Sequence, residues 1–445
     1  MRVKKNTEEL NKIPVSTIHR TGHFASAGLK CAGCYLSNLI SGFTSPDIDA
    51  DKQKARYRLK QASIFALELG RMKGTAMKAG QLLGLIGTHF GISPEICNVF
   101  SQLNDKSAPL AWGAVKENLD KFNNGQLYDE FEISPVAHAA ASLGQVHRAV
   151  HRETGKECCF KIQYPEVARS LDSDLRAIRI ALGIANFLPE GLNPDPMLAE
   201  IRMLFESELD YLREINFMKE FSTRLQGTGI HIPEVWEEFS SPTFICMEFI
   251  DGVTLDHEDV LCLDPAERNE IAYNLTELVF REIFSWNMMQ TDPNMGNYLV
   301  DIDNPRGPVL DLIDFGAVRI FDENFIRAYR QLVKGAWLKD YDRMHYAIRE
   351  LDFMPSETPR SVRNQFCELA SVAMEPFHTE RYNWAQSDLP ARMSRLALNS
   401  SLTRYFRLPP SEILFLHRKL AGVFACLGML EADFNTYELA YRYLS

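Results

Sequence analysis

Three oxygen-bearing side chains past the middle of the chain are spaced in a way that suits metal and proton chemistry. In QTDPNMGNYLV, Asn297 follows Asp292 by five residues, and Asp314 comes seventeen residues after Asn297, inside LIDFG. A carboxylate such as Asp292 reaches the proton of an acceptor or a water, while an amide oxygen one turn later is a hard ligand for magnesium. Asp314, between an apolar run and a glycine, supplies a second hard oxygen. D-x-x-x-x-N followed by D-F-G is the catalytic and metal-binding spacing of phosphoryl transfer. A D-F-G tripeptide alone also makes a good turn; the interval, with the hairpin-like DIDNPRG inside it, gives it weight.

Upstream stands AAASLGQVHRA, residues 139–149. Laid over the phosphate-loop pattern G-x-G-x-x-G-x-V, Gly144 and Val146 take the last two places, and Ala139 and Ala141 stand where glycines belong. Methyl groups there restrict both backbone φ and approach to phosphate. Lys161 lies fifteen positions after Val146, in CCFK, where such proteins place the lysine that holds the α- and β-phosphates. Its acidic partner must come from FESELDYLREINF, which offers Glu206, Glu208, Asp210 and Glu214. The sequence leaves that choice open. With 45 to 53 residues between the lysine and these acids, the small lobe must carry extra helices or a rearranged pairing.

The elements that position these groups follow from periodicity. Residues 53–88 read as one long helix until the glycines at 84, 87 and 91 and Pro94, with helical connections to about residue 125. From 131 to 163 the pattern is strand, loop, strand, turn, strand. Helical spacing returns over 167–226, broken by LPEGLNPDP, and HIPEVWEEFSSPTFICMEFIDG predicts two more strands. After residue 265 the chain reads as helical except for strands at NYLVD and VLDLIDF. The expected domains are a helical extension over 1–125, a β-rich lobe with inserted helices over 126–250 and a helical lobe over 251–445.

Composition bounds the setting. A chain of 445 residues, 46% apolar, is long enough for two or three lobes. The net charge of −11 argues against a nucleic-acid binder, yet the first 60 residues carry a local +6. Within that basic end, residues 24–43 place apolar side chains at helical spacing, which suits either a packed helix or a helix lying on an anionic membrane surface. Nine cysteines in mostly apolar settings read as reduced thiols of an intracellular protein, and the lone Cys31-x-x-Cys34 pair is left out of the site. No apolar run is long enough to span a bilayer.

KAGQ at 78–81, AAASLGQVH, FKIQYP, ELDY at 208–211, DPNMGN and DFG together resemble the UbiB/AarF family of atypical kinase-like proteins, over about residues 13–435. The resemblance implies an α+β, protein-kinase-like bilobal fold with an added N-terminal helical extension, ATP and Mg2+ as cofactors, and a supporting role in ubiquinone biosynthesis. It implies intracellular placement, in the cytoplasm or peripheral on an inner membrane (the matrix face of a mitochondrion), with an anionic lipid and a quinone-biosynthesis complex as partners. The nucleotide set comprises Ala139, Ala140, Ala141, Ser142, Leu143, Gly144, Gln145, Val146 and Lys161, with Met247, Glu248 and Phe249. Asp292 and Lys161 are the catalytic residues, and Asn297 and Asp314 hold metal. Lys78, Gly80 and Gln81 form the KxGQ element, with Glu208, Asp210 and Glu214 opposite. Lys78 and Gln81 share a helical face, and Gly80 permits close approach to another backbone. By the same resemblance Lys78 pairs with Glu208 or Asp210, in a helix that excludes protein substrates. Three functions compete: an ATPase-type regulator, a phosphotransferase, and a nucleotide-binding scaffold. The intact Asp292, Asn297 and Asp314 set argues against the scaffold.

Overall fold

The β-rich stretch between Phe131 and Gln163 folds as three antiparallel strands in the computed structural model, which describes residues 50–72, 74–90, 92–103, 109–141, 143–165, 167–185, 193–399 and 411–445. These are β1 (Phe131–Ala140), β2 (Gly144–His151) and β3 (Glu157–Gln163). Gly155, at φ +68°, turns β2 into β3, because only glycine takes that left-handed conformation cheaply. Strand β4 (Ile230–His231) belongs elsewhere, and β5 (Phe244–Glu248) completes a sheet of order β1-β2-β3-β5. Phe131, Phe160 and Phe244 are buried on this sheet, with Phe131 edge-on to Phe160 and to Phe239. Such edge-to-face pairs add to the burial of large apolar area.

Helices surround it: α1 (Ala50–Met72), α2 (Gly74–Ile86), α3 (Pro94–Ser101), α4 (Trp112–Asp120), α5 (Val167–Ala185), α6 (Asp195–Leu209) and α7 (Tyr211–Arg224). The single helix expected over 53–88 is therefore two. Gly74 takes φ +56°, a left-handed value that ends α1 and starts α2. Gly80 also departs from expectation. A Cβ there would strike the Leu103 and Leu69 side chains, whereas it is Gly84 whose Cβ would meet backbone, 2.5 Å from Ser101 N and 2.9 Å from Cys97 O. Close backbone approach between α2 and α3 thus rests on Gly84. Helix α2 is held to α5 by Thr75, whose hydroxyl bonds the buried Asp174 and lies beside Ser170.

Among the described residues, those up to Ile215, with Glu234–Phe249, form one compact unit, and those of Asn216–Pro233 and Ile250–Ser445 form a second, the division falling within α7. The second unit is mostly helical around α8 (Pro265–Phe284), whose Ile271, Leu275, Leu278 and Ile283 are buried. Its strands make two small sheets. One has order β4-β9-β8-β6, from β6 (Val253–Thr254), β8 (Tyr298–Asp301) and β9 (Val309–Leu312); the other pairs β7 (Met288–Gln290) with β10 (Val318–Ile320). Strand β4 runs parallel to β9, so of the two strands expected in residues 231–252 only β5 joins the first sheet. Helices α9 (Glu323–Leu338), α10 (Tyr341–Glu350), α11 (Arg360–Ala373), α12 (Leu389–Asn399), α13 (Ser411–Met429) and α14 (Thr436–Leu444) follow. Asp322 and Asp340 accept N–H groups from the first turns of α9 and α10, which fixes where each begins.

Among the described residues no helix is long and apolar enough to cross a membrane. The described cysteines are free thiols, buried except Cys262. The amphipathic stretch 24–43 and the Cys31/Cys34 pair lie outside the described residues.

Candidate functional site

In the first unit the alanine-rich segment is more strand than loop. Ala139 and Ala140 end β1, paired with Val146 and Gln145, and Ala141 N–H bonds Gly144 O at 2.8 Å. Only residues 141–143 form the connection, and Ser142 lies outside the described residues. No described residue of 139–146 has a left-handed φ, so the segment does not need the conformations a glycine-rich loop supplies. Gly144 is there for space: a Cβ would sit 2.6 Å from Ile162 O and 3.1 Å from the Tyr211 hydroxyl. Gln145 and His147 point inward, fully buried. The Gln145 side chain bonds both the N–H and the C=O of Leu110, and its Nε2 donates to His147 Nε2 at 2.8 Å. The ring is then a Nδ1–H tautomer that donates to Ser134 O at 2.8 Å. These two residues fasten the segment to Leu110 and Ser134.

Val146 and Lys161 are direct cross-strand partners in β2 and β3, so the fifteen-residue spacing is the register of a hairpin. Lys161 Nζ donates to Glu214 Oε1 at 2.6 Å and lies 5.5 Å from the Tyr211 ring centre. The structure thus selects Glu214 among the four candidate acids. Asp210 makes the helix that carries it: its carboxylate accepts Arg213 N–H and its carbonyl accepts Glu214 N–H, capping α7. Glu206 instead faces Arg202 at 3.7 Å. Lys78 pairs with Glu208 at 2.9 Å, while Gln81, on the same helical face, bonds Leu103 O at 2.7 Å. The cation and the amide therefore serve two different elements. Met247 and Glu248 close β5 beside Cys159 and Cys158 of β3, and the Phe249 ring takes the Arg148 guanidinium at 4.1 Å.

In the second unit Asp292, Asn297 and Asp314 are brought together by backbone. Thr291 N–H and hydroxyl both bond Ala317 O, and Ile313 N–H bonds Asn297 O at 3.2 Å, beside the β8–β9 pair Tyr298–Leu312. Asn297 Nδ2 donates to Asp292 Oδ2 at 3.0 Å, which turns the amide oxygen away from that carboxylate. Gly316 N–H bonds Asp314 Oδ1 at 2.9 Å and orients the acid, while Phe315 is buried against Phe221. The Asp314 carboxylate and the Asn297 amide are hard oxygen donors of the kind that fits magnesium. They are too few to fill six positions, so phosphate oxygens and water must complete the shell. No group of three or more His, Cys, Asp or Glu side chains comes together among the described residues.

Sequence reasoning missed what stands behind this loop. Arg418, on α13, donates to Asp292 Oδ1 at 3.2 Å. Its neighbour Lys419 is fully buried and donates to Gln290 Oε1 and the Tyr298 hydroxyl, with Glu282 at 4.0 Å. Burial pushes the Glu282 carboxyl up to about 7, against the pull of Lys419 and of the Gln290 N–H it accepts. Burial works against the Lys419 ammonium too, but Tyr298 and Glu282 outweigh it and hold its pKa above the ordinary lysine value. Gly422 completes the contact, since a Cβ there would lie 2.3 Å from Pro293. The available signal was an Arg-Lys pair inside the largely apolar run SEILFLHRKLAGVFACLGM.

Residues 102–348 match the ABC1 atypical kinase-like domain. The mitochondrial atypical kinase COQ8B of Rattus norvegicus is 32% identical over 435 residues, covering 96% of this chain and 80% of the rat protein. Its Danio rerio counterpart is 32% identical over 82% of this chain and 58% of its own length. This chain spans about half to three-fifths of the length of several curated relatives. Among solved structures, Rv3197 of Mycobacterium tuberculosis, in complex with erythromycin, superposes with a TM-score of 0.61 at 25% identity, over 89% of this chain and 98% of that one.

Proposed function

Because the chain belongs to the ABC1 atypical kinase-like family, we propose that it binds ATP with magnesium and turns it over as an ATPase-type regulator of coenzyme Q biosynthesis. The observation that carries this is the second unit's constellation, in which Asn297 is bonded to Asp292 and tied by backbone to the residue before Asp314. In this reading Lys161, steadied by Glu214, takes the α- and β-phosphates, and Asn297 and Asp314 take magnesium. Asp292 orients the attacking oxygen. The Gly144–Val146 segment and residues 247–249 flank the nucleotide.

The substrate side rests on Lys78. Its pair with Glu208 supports a latch by which α2 disfavours protein acceptors and leaves water or a small acceptor. The setting we propose is the matrix face of a mitochondrial inner membrane, in line with the names of the relatives, with an anionic lipid surface and a quinone-biosynthesis complex as partners. Phosphoryl transfer to a protein or small-molecule acceptor is the second reading, favoured by the carboxylate at Asp292.

Thermal shift and steady-state phosphate release on the intact chain test both readings. Magnesium-ATP should stabilise the wild type, magnesium alone should not, and Asp314→Asn should abolish the effect by removing an anionic oxygen from the metal shell. Undiminished stabilisation of Asp314→Asn by magnesium-ATP would sink the metal assignment. Phosphate release without any acceptor favours the ATPase, and label transfer to a generic protein favours the kinase.

A further inference from the structure

Away from the motif residues, α10, the turn that follows it and the start of α11 enclose a cleft of about 700 Å3. Three guanidinium groups line it, from Arg349, Arg360 and Arg363, with His345 beside them. Two carboxylates, Asp342 and Asp352, share the wall, leaving an excess of one positive charge with the histidine neutral. Asp342 approaches Arg360 only to 3.7 Å with both side chains largely in water, a geometry worth little.

Arg363 is the more telling group. Its Nε is buried with no hydrogen-bond partner, and a buried donor left unmet is destabilising. Burial, then the Arg363 charge, hold His345 below the ordinary histidine pKa, which keeps the ring neutral. Helix α11 begins at Arg360 with no side-chain cap, so its amide end adds positive potential where Arg360 enters the cleft. The lining also has an apolar side: Ile348 and Met354 are buried, and the half-exposed Tyr346 ring stands 5.3 Å from the Arg349 guanidinium.

We propose that this cleft is a binding site for a phosphate monoester, distinct from the Asp292–Asp314 constellation. Three arginines suit phosphate better than carboxylate. A single guanidinium satisfies both oxygens of a carboxylate, whereas a phosphate presents three terminal oxygens to separate forks. The apolar side takes the organic part of the ester. Such an ester reaches a protein either free in solution or as the headgroup of a phosphatidic-acid-type lipid.

The test is calorimetric titration of the intact chain with glycerol phosphate, with magnesium chelated so that the metal-dependent site is silent. The expected result is binding that Arg349→Ala/Arg360→Ala weakens at least about tenfold, that Asp314→Asn leaves unchanged, and that the double variant loses without losing magnesium-ATP stabilisation. Both arginines are exposed, so the double variant should fold. Vesicles containing phosphatidic acid form the second arm. Arginine-dependent binding to vesicles but not to glycerol phosphate assigns the ester to a lipid, and the converse assigns it to a free metabolite. No arginine-dependent binding in either arm, or glycerol phosphate binding that Asp314→Asn removes, overturns the proposal.

Discussion

Among the lysine–glutamate pairs of the first compact unit, two involve the motif residues and differ in the acid rather than in length. Lys161–Glu214 spans 2.6 Å and Lys78–Glu208 spans 2.9 Å, with the lysine side chains 17% and 18% exposed. Glu214 is 1% exposed, Glu208 23%. Helix position separates them further. Glu214 stands in the first turn of α7, where the positive end of the helix dipole favours an anion; Glu208 stands in the last turn of α6, where it does not. One acid is committed to its site by burial and dipole together. The other is held against the dipole by its lysine and has water close at hand. Near-equal distances therefore do not mean equal worth: the first pair suits a fixed element of the nucleotide site, the second a contact that opens.

The largest break in this comparison should come from Lys161→Met. It leaves a buried carboxylate without its cation, which typically costs about 3–5 kcal/mol. Chemical denaturation should show that loss, with much of it recovered in Lys161→Met/Glu214→Gln, where no buried charge remains. A loss below about 1 kcal/mol, the range of exposed pairs, would mean that Glu214 is compensated by other groups.

How far these pairs could be read in advance depends on where their partners lie along the chain. Lys161 was legible because Val146 and Lys161 face each other across one hairpin, so local spacing encodes the contact. Its acid was not. Four acids lie within nine residues, and the choice of Glu214 turns on α7 starting at Tyr211, which Asp210 sets by capping. Lys78 was placed against Glu208 or Asp210 by resemblance alone, and the structure gives Glu208. The break at Gly74 was hidden because Ala, Leu, Met and Lys on either side favour helix equally. Arg418 and Lys419 lie 126 and 129 residues from their partners Asp292 and Gln290, and no periodicity reports such a contact. The sheet β1-β2-β3-β5 was legible, whereas β4 joins a different sheet: its two residues pair with β9 in parallel, about 80 residues away, a pairing that leaves no turn signal.

A smaller effect is expected from Lys78→Met. Glu208 can take up water when its partner goes, so the loss should be about 1 kcal/mol or less. Function should move more than fold: magnesium-ATP affinity or self-phosphorylation should change although Lys78 belongs to α2, outside the kinase-like motifs. A double-mutant cycle with Glu208→Gln isolates the pair from the other contacts of either residue. Strict additivity, together with unchanged nucleotide affinity, would remove the latch and leave Lys78 as a surface contact.

Ionic strength supplies the finest contrast. The Debye length shrinks from about 10 Å at 0.1 M salt to about 3 Å at 1 M, and screening acts through solvent, so it weakens partly exposed pairs far more than buried ones. The Lys78–Glu208 coupling energy should therefore fall by a few tenths of a kcal/mol between those conditions, a sizeable share of a pair worth about 1 kcal/mol or less. The Lys161–Glu214 coupling, measured by a cycle of Lys161→Met with Glu214→Gln, should stay constant within error. The comparison is internal, because both pairs sit in one compact unit and general salt effects on folding cancel within each cycle. Equal salt sensitivity would show that water reaches Glu214 as readily as Glu208, and the division into a fixed pair and an opening pair would fail with it.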